Sequence, residues 1–236
     1  MTAADAGGSG PEARRLILVG RGRMGRLVER LSPEYGFHVV GVIRRDNSDD
    51  AMWPDADVAI DFSVAEAVPA NFRRCAERRL CVVIGTTGWQ AEEAALREIA
   101  LRNGIGVVAA ANFALGVNLF QALVERAAGL LASRPEFGAW IHELHHSAKR
   151  DAPSGTALAL QAAMRRSGYS GPIDVASTRA GSIPGTHTVG FDAAAETITL
   201  THTARDRSIF ARGALEAARW LDRRSGWYTM RDVLGL

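Results

Sequence analysis

Lysine is almost missing from this chain of 236 residues: of its 28 basic residues 27 are Arg, and Lys149 is the single Lys. A guanidinium stays protonated in a protein, whereas an ammonium can release its proton, so a lone Lys in an Arg-rich chain points to a proton donor. Cysteine is nearly absent too. Cys75 and Cys81 lack a C-x-x-C spacing, which excludes a disulfide scaffold and fits a reduced, cytoplasmic protein. No apolar run is long enough to span a bilayer, so no membrane partner is expected. Charge of one sign is also lacking: the net charge is +2, and the arginines are dispersed rather than gathered into a block. That excludes a nucleic-acid surface and leaves small anions as the expected ligands. Residues 1–13 are small, polar and Gly-rich, with no basic or apolar leader segment, and read as a disordered tail.

What is present begins with Arg15-Leu-Ile-Leu-Val-Gly20, a buried-strand pattern that runs directly into Gly20-Arg-Gly22-Arg-Met-Gly25. This is G-x-G-x-x-G between a strand and a helix. Gly20 permits the turn, Gly22 lets backbone approach a pyrophosphate, and Gly25 lets the following helix, Met24 to Leu31, pack close, with Arg23 and Met24 between the last two glycines. The second strand, His38 to Ile43, ends in Arg44-Arg45, where an NAD-selective site carries an acid for the ribose 2′-hydroxyl. Two guanidiniums suit a 2′-phosphate, so NADPH is the preferred cofactor, and nearby Asp46 keeps NADH possible. Strands and helices then alternate through Asp57–Phe62, Cys81–Ile84 and Ile105–Ala109, a doubly wound α/β pattern. Ligands sit beyond strand ends in such sheets, which singles out Gly85, Thr86 and Thr87, and Ala111, Asn112 and Phe113.

From Ala114 the texture changes to a long apolar-periodic helix, strand-like Ala139–Leu144, a helix from Thr156 to Arg166, three alternating β-like runs, and a last helix from Ser208 to Arg224. Glu143 to Thr156 joins two His, the lone Lys149, Asp151 and a Ser-Gly-Thr turn in fourteen residues, and reads as the reactive centre. His145 can exchange a proton near neutral pH, Lys149 can pair with a carboxylate or donate a proton, and the helix start after Pro153 offers amides and a dipole to an anion. His142-Glu143-Leu144-His145-His146 also satisfies H-E-x-x-H, but that zinc signature requires a helix, and the surrounding residues read as a strand; no metal is expected.

Residue by residue, the body resembles the dihydrodipicolinate reductases, also called 4-hydroxy-tetrahydrodipicolinate reductases, of bacterial lysine synthesis. The family signature E-x-H-H-x-x-K-x-D-x-P-S-G-T-A stands unbroken as Glu143 to Ala157. Gly22–Gly25, Ile60–Phe62, Val83–Gly88, Ala111–Phe113, Arg179–Gly181, Gly185–Thr188 and Met230–Leu234 agree as well. The resemblance implies a Rossmann-like dinucleotide-binding domain over 14–112 and 208–236, and an α+β substrate-binding and tetramerisation domain with a mixed sheet over 113–207. It implies a homotetramer, and hydride transfer from NAD(P)H to an unsaturated heterocyclic dicarboxylate. His145 and Lys149 match the family's catalytic positions. His146, Lys149, Ser154, Gly155 and Thr156 match its substrate-binding ones, and Arg207 is similar to a position near the cofactor.

Three departures stand out. The glycine loop is one residue shorter than the commoner G-x-x-G-R-M-G, Arg44 replaces the usual acid, and the segment from Arg166 to Arg179 is short where many members carry an insertion.

Overall fold

The first strand, Arg14–Val19, places its last four residues at 3% exposure or less, as a strand covered on both faces requires. The computed structural model describes residues 13–45 and 53–236. Apart from Ala13, the expected tail lies outside the described residues, as does Asp46. In chain order the elements are β1 (Arg14–Val19), α1 (Arg23–Leu31), β2 (Phe37–Ile43), β3 (Val58–Asp61), α2 (Val68–Glu77), β4 (Cys81–Ile84), α3 (Glu93–Asn103) and β5 (Gly106–Ala109). Then follow α4 (Leu115–Leu131), β6 (Gly138–His145), α5 (Gly155–Arg166), β7 (Ile173–Arg179), β8 (Thr186–Ala193) and β9 (Glu196–Thr203). The chain closes with α6 (Ser208–Trp220), β10 (Gly226–Tyr228) and α7 (Met230–Leu234).

Two compact units divide these elements. The first holds the described residues through Phe113 together with Ala211–Val233, and the second holds Ala114–Phe210 with Leu234–Leu236. Phe113, expected with the second domain, thus groups with the first unit, while Ser208 to Phe210 and Leu234 to Leu236, expected with the first domain, group with the second.

The first unit is a six-stranded sheet of order β10-β5-β4-β3-β1-β2, parallel at every pairing. All carboxyl ends thus share one edge, and the strand order reverses at β1, which has β2 on one side and β3 on the other. Ligands of open α/β sheets occupy the crevice at such a reversal. Apolar residues from the strands and helices close one core: Ile17, Phe72, Leu96, Val107 and their neighbours are all buried. Two glycines of the first turn are demanded by sterics. Gly20 sits at φ +90, and a Cβ there would lie 2.5 Å from the Phe62 carbonyl oxygen; a Cβ on Gly25 would lie 2.1 Å from that of Gly20.

The second unit is a mixed four-stranded sheet of order β7-β6-β8-β9, with β6 and β7 parallel and the remaining pairs antiparallel. Its core joins Phe120 and Val124 of α4 and Leu160 and Met164 of α5 to Ile141, Val189 and Phe191 of the sheet. Strand alternation follows from this one-sided packing, with β6 reading exposed, buried, half-buried in turn. The shortened segment is a simple turn, with α5 ending at Arg166 and β7 beginning at Ile173.

The last helix is shorter than its sequence pattern predicts. It stops at Trp220 instead of Arg224, because Arg223 takes a left-handed φ of 55° and the chain turns into β10. The Arg224 side chain folds back over the Trp220 ring at 4.2 Å, so charge and periodicity continue past the point where the backbone leaves the helix. Among the described residues no helix is long and apolar enough to cross a membrane.

Candidate active site

Within the first unit a pocket of about 520 Å³ opens where β1, β2 and β3 end, lined among others by Gly20, Gly22, Ile43, Arg44, Arg45, Phe62 and Arg74. The turn fits a dinucleotide phosphate: α1 begins at Arg23 without a side-chain cap, and a Cβ on Gly22 would meet nothing within 4 Å. An uncapped helix start facing open space leaves amides and a positive dipole end for an anion. Arg23 is exposed and Met24 half-buried at the start of that helix. Arg44 and Arg45 stand exposed on the rim, and Arg74 joins them from α2.

Buried Asp61 organises the neighbouring strand ends. Its carboxylate accepts from the Ser63 amide at 2.8 Å, the Thr86 hydroxyl at 2.9 Å and the Asn71 amide at 3.1 Å, tying the turns after β3 and β4 together. Burial pushes its pKa up in spite of those donors. Gly85 passes beneath the Phe62 ring, where a Cβ would come within 2.1 Å, and Phe62 meets Phe113 edge-on at 6.4 Å. Thr86 and Ala111 line a second cavity of about 250 Å³, while Thr87 is exposed and Asn112 half-buried beside them.

The second unit carries the reactive stretch. The first four residues of H-E-x-x-H lie on β6: His142 faces one side and hydrogen-bonds Thr178 at 2.9 Å, whereas Glu143 and His145 share the buried face. His146 follows the strand end, half-buried. Glu143 is wholly buried and is the hub of the cluster. Both of its oxygens are held by Arg179, at 2.6 and 2.9 Å; Oε1 also accepts the Ser154 amide at 3.1 Å, and Oε2 pairs with His145 Nδ1. Ser154 Oγ caps α5 by accepting the Ala157 amide at 3.2 Å and hydrogen-bonds His187 Nε2 at 2.9 Å. Lys149 Nζ reaches both Asp151 oxygens at 2.7 and 2.8 Å. Gly155, exposed, and Thr156, half-exposed, form the first turn of α5, where amide groups are not needed by the helix ladder.

Electrostatics follow from this packing. Burial would raise the Glu143 pKa, but hydrogen bonds from Arg179, Ser177 and His145 overcome it and hold the carboxyl at about 2. Burial lowers His145 despite the opposing pull of Glu143, with Lys149 and Arg179 adding to the fall. His187 is pushed furthest, to about 4, by burial and then by the His145 charge. Ligand atoms of Glu143, His145 and His187 lie within 4.8 Å of one another, but the Arg179 guanidinium already holds the carboxylate against a cation.

A depressed imidazole pKa has a thermodynamic consequence. The unfolded chain takes a proton on His187 below about 6.5, while the folded chain resists until about 4. Stability is therefore expected to fall as pH drops through that window, by up to about 3 kcal/mol from this residue. Urea midpoints at pH 7.5 and 5 measure it, and His187→Gln should flatten the difference. The window lies above the one set by Glu143, whose stabilising charge is lost between about 4.5 and about 2.

The predicted proton and carboxylate groups thus fall in one cluster of the second unit, and the predicted cofactor residues fall at one sheet edge of the first, except Arg207. That residue is exposed and belongs to the second unit. Glu143, Arg179, His187 and Arg74 have no role that the sequence alone predicts. The first three do stand in the quoted motif segments, but their partnership depends on strand register.

Known proteins match the chain throughout. The family model described as dihydrodipicolinate reductase, N-terminus, matches residues 14–113, and that described as dihydrodipicolinate reductase, C-terminus, matches residues 116–234. A 4-hydroxy-tetrahydrodipicolinate reductase of Acidiphilium cryptum is 44% identical, covering 91% of this chain and 94% of the relative. One from Christiangramia forsetii is 37% identical, covering 93% and 97%. The solved structure of a dipicolinate-bound dihydrodipicolinate reductase from Paenisporosarcina sp. TG-14 shares the fold, with a TM-score of 0.76 at 21% identity over 92% of this chain and 97% of that one.

Proposed function

The chain belongs to the dihydrodipicolinate reductase family, and from that premise we propose that it reduces 4-hydroxy-tetrahydrodipicolinate to tetrahydrodipicolinate with NADPH, in the diaminopimelate route to lysine. The observation that carries this reading is the gathering of an imidazole held by Glu143, an ammonium held by Asp151 and the start of α5, whose Ser154 amide is tied to the same Glu143. A dicarboxylate ring needs that set: amides and cations for its charges, and a proton for the carbon or nitrogen left electron-rich by reduction.

The nicotinamide dinucleotide, when bound, supplies the hydride. Gly20, Gly22, Arg23, Met24 and Gly25 would hold its pyrophosphate, and Gly85 to Thr87 with Ala111 to Phe113 would line the nicotinamide side. Arg44 and Arg45, joined by Arg74 on the same pocket, support NADPH over NADH, with NADH still usable. The Ser154, Gly155 and Thr156 turn takes one substrate carboxylate, with His146 and Lys149 beside it, and His145 and Lys149 exchange the proton. Arg207 is assigned to the cofactor with its family position.

The decisive assay is oxidation of NADPH on addition of freshly generated product of the preceding synthase. A loss of NADPH absorbance that depends on that product is expected, and its absence with folded protein rejects the reading.

A homotetramer in the cytoplasm completes the proposal. The second unit's sheet face opposite its helices is half-exposed and rich in threonine, with paired hydroxyls at Thr186–Thr203 and Thr188–Thr201, 3.1 and 3.0 Å apart. An exposed sheet face repeated in every copy can pair with itself about a twofold axis. Light scattering should return four times the chain mass, and a monomer mass refutes it.

A further inference from the structure

The ion pair of buried Glu143 with half-buried Arg179 touches His145 and the Ser154 turn directly and reaches Lys149 through Asp151. One Glu143 oxygen meets the ring of His145 and the other takes the Ser154 amide at 3.1 Å. Arg179 clamps both oxygens, and its Nη2 also donates to the Asp151 carbonyl, whose residue holds Lys149 through its side chain. Strand register makes this possible: β6 places His145 opposite Arg179 of β7, and Glu143 opposite Ser177 of β7 and His187 of β8.

We propose that Glu143, clamped by Arg179, is the positioning residue of the site, holding His145 with its hydrogen on Nδ1 and tying the Ser154 turn to the same carboxylate. An ionised carboxylate only accepts hydrogen bonds, so the nitrogen facing it must be the donor and Nε2 is the nitrogen left to exchange a proton. Room for that nitrogen is kept by Gly185, at φ +147, where a Cβ would stand 3.0 Å from His145 Nε2. The guanidinium is what makes the buried charge tolerable, since an uncompensated carboxylate at this depth would be neutralised. One ion pair therefore fixes the spacing between the proton group and the helix start that grips the substrate.

The charged and titratable groups facing the His145 ring are Glu143 from its own strand, Arg179 from β7, Lys149 from the turn that follows, and His187 from β8 at 5.1 Å between ring centroids. Removing the carboxylate leaves the ring among cations, which disfavours the imidazolium.

The inference rests on the reductase reading and is tested in two ways. In the wild-type protein, nitrogen-15 NMR of the histidines at pH 8, with His145→Asn for assignment, should show the Nδ1–H form for His145; the Nε2–H form overturns the inference whatever any variant does. In Glu143→Gln, turnover should fall about 100-fold, NADPH affinity should change less than about twofold, and the pH-rate limb carried by His145 should move to lower pH. Turnover near that of the wild type with an unmoved limb also overturns it. Failure of the underlying reading looks different, because the wild type itself would then reduce no substrate.

Discussion

Lys149→Arg is expected to lower kcat by about 10²- to 10⁴-fold while leaving the dissociation constant for NADPH unchanged. The substitution keeps a positive charge, so it separates two roles that a change to Ala would merge. Lys149 holds a charged pair with Asp151 at 2.7 Å, and its side chain is 22% exposed, so a guanidinium can reach the same carboxylate at the half-open rim of the cluster. Arg cannot hand over a proton, because its pKa lies too far above the working range. Binding of the substrate's negative charge should therefore survive in part, seen as a modest rise in KM, while the protonation step fails. Rapid-mixing measurement of NADPH oxidation, alongside a fluorescence titration of the cofactor, distinguishes these quantities. Turnover within about threefold of wild type would remove Lys149 from proton transfer and leave His145 as the donor.

Arg44→Glu combined with Arg45→Ala is expected to weaken NADPH by about 10²-fold or more and NADH by only a few-fold. Each charge-assisted hydrogen bond to a phosphate contributes on the order of 1.5–3 kcal/mol, and a carboxylate at position 44 adds repulsion against the 2′-phosphate while offering the 2′-hydroxyl an acceptor. Both residues line the same pocket as Gly20 and Gly22, so the effect should be confined to the adenosine end of the cofactor. Arg74, on α2 across that pocket, should retain part of the NADPH preference in the double variant. Calorimetry with each dinucleotide provides the ratio. Equal weakening of the two cofactors would show that these arginines do not read the 2′-phosphate.

The first unit's strands are legible because local pattern and tertiary fate coincide there. Leu16 to Val19 is apolar on both faces since the strand is covered on both faces, and the glycines that follow it are imposed by backbone contacts such as Gly25 on Gly20. The reactive stretch is legible for a similar reason, its chemistry being crowded into consecutive residues. Arg179 and His187, by contrast, join Glu143 across 36 and 44 positions of chain through sheet register, which one sequence does not encode locally. Arg74 is not legible because a basic residue on a helix has the same pattern whether it faces solvent or a pocket. The end of α6 is not legible because Arg223 adopts a left-handed backbone that no side-chain periodicity signals.

Strand β10 carries the last consequence. It completes the parallel sheet by pairing Trp227 and Tyr228 with Val107 and Val108 of β5, and the Trp227 ring lies 5.9 Å from Phe72 and 6.1 Å from Trp89. The whole second unit except its last three residues is made between the two partners of that pairing. On the ribosome, then, the inserted unit can fold while β5 still presents a bare apolar edge, and the domain that begins the chain is the one finished last. An unpaired edge of that kind is a template for misassociation, so the nascent protein is most exposed to aggregation in the interval between Ala109 and Gly226 leaving the exit tunnel.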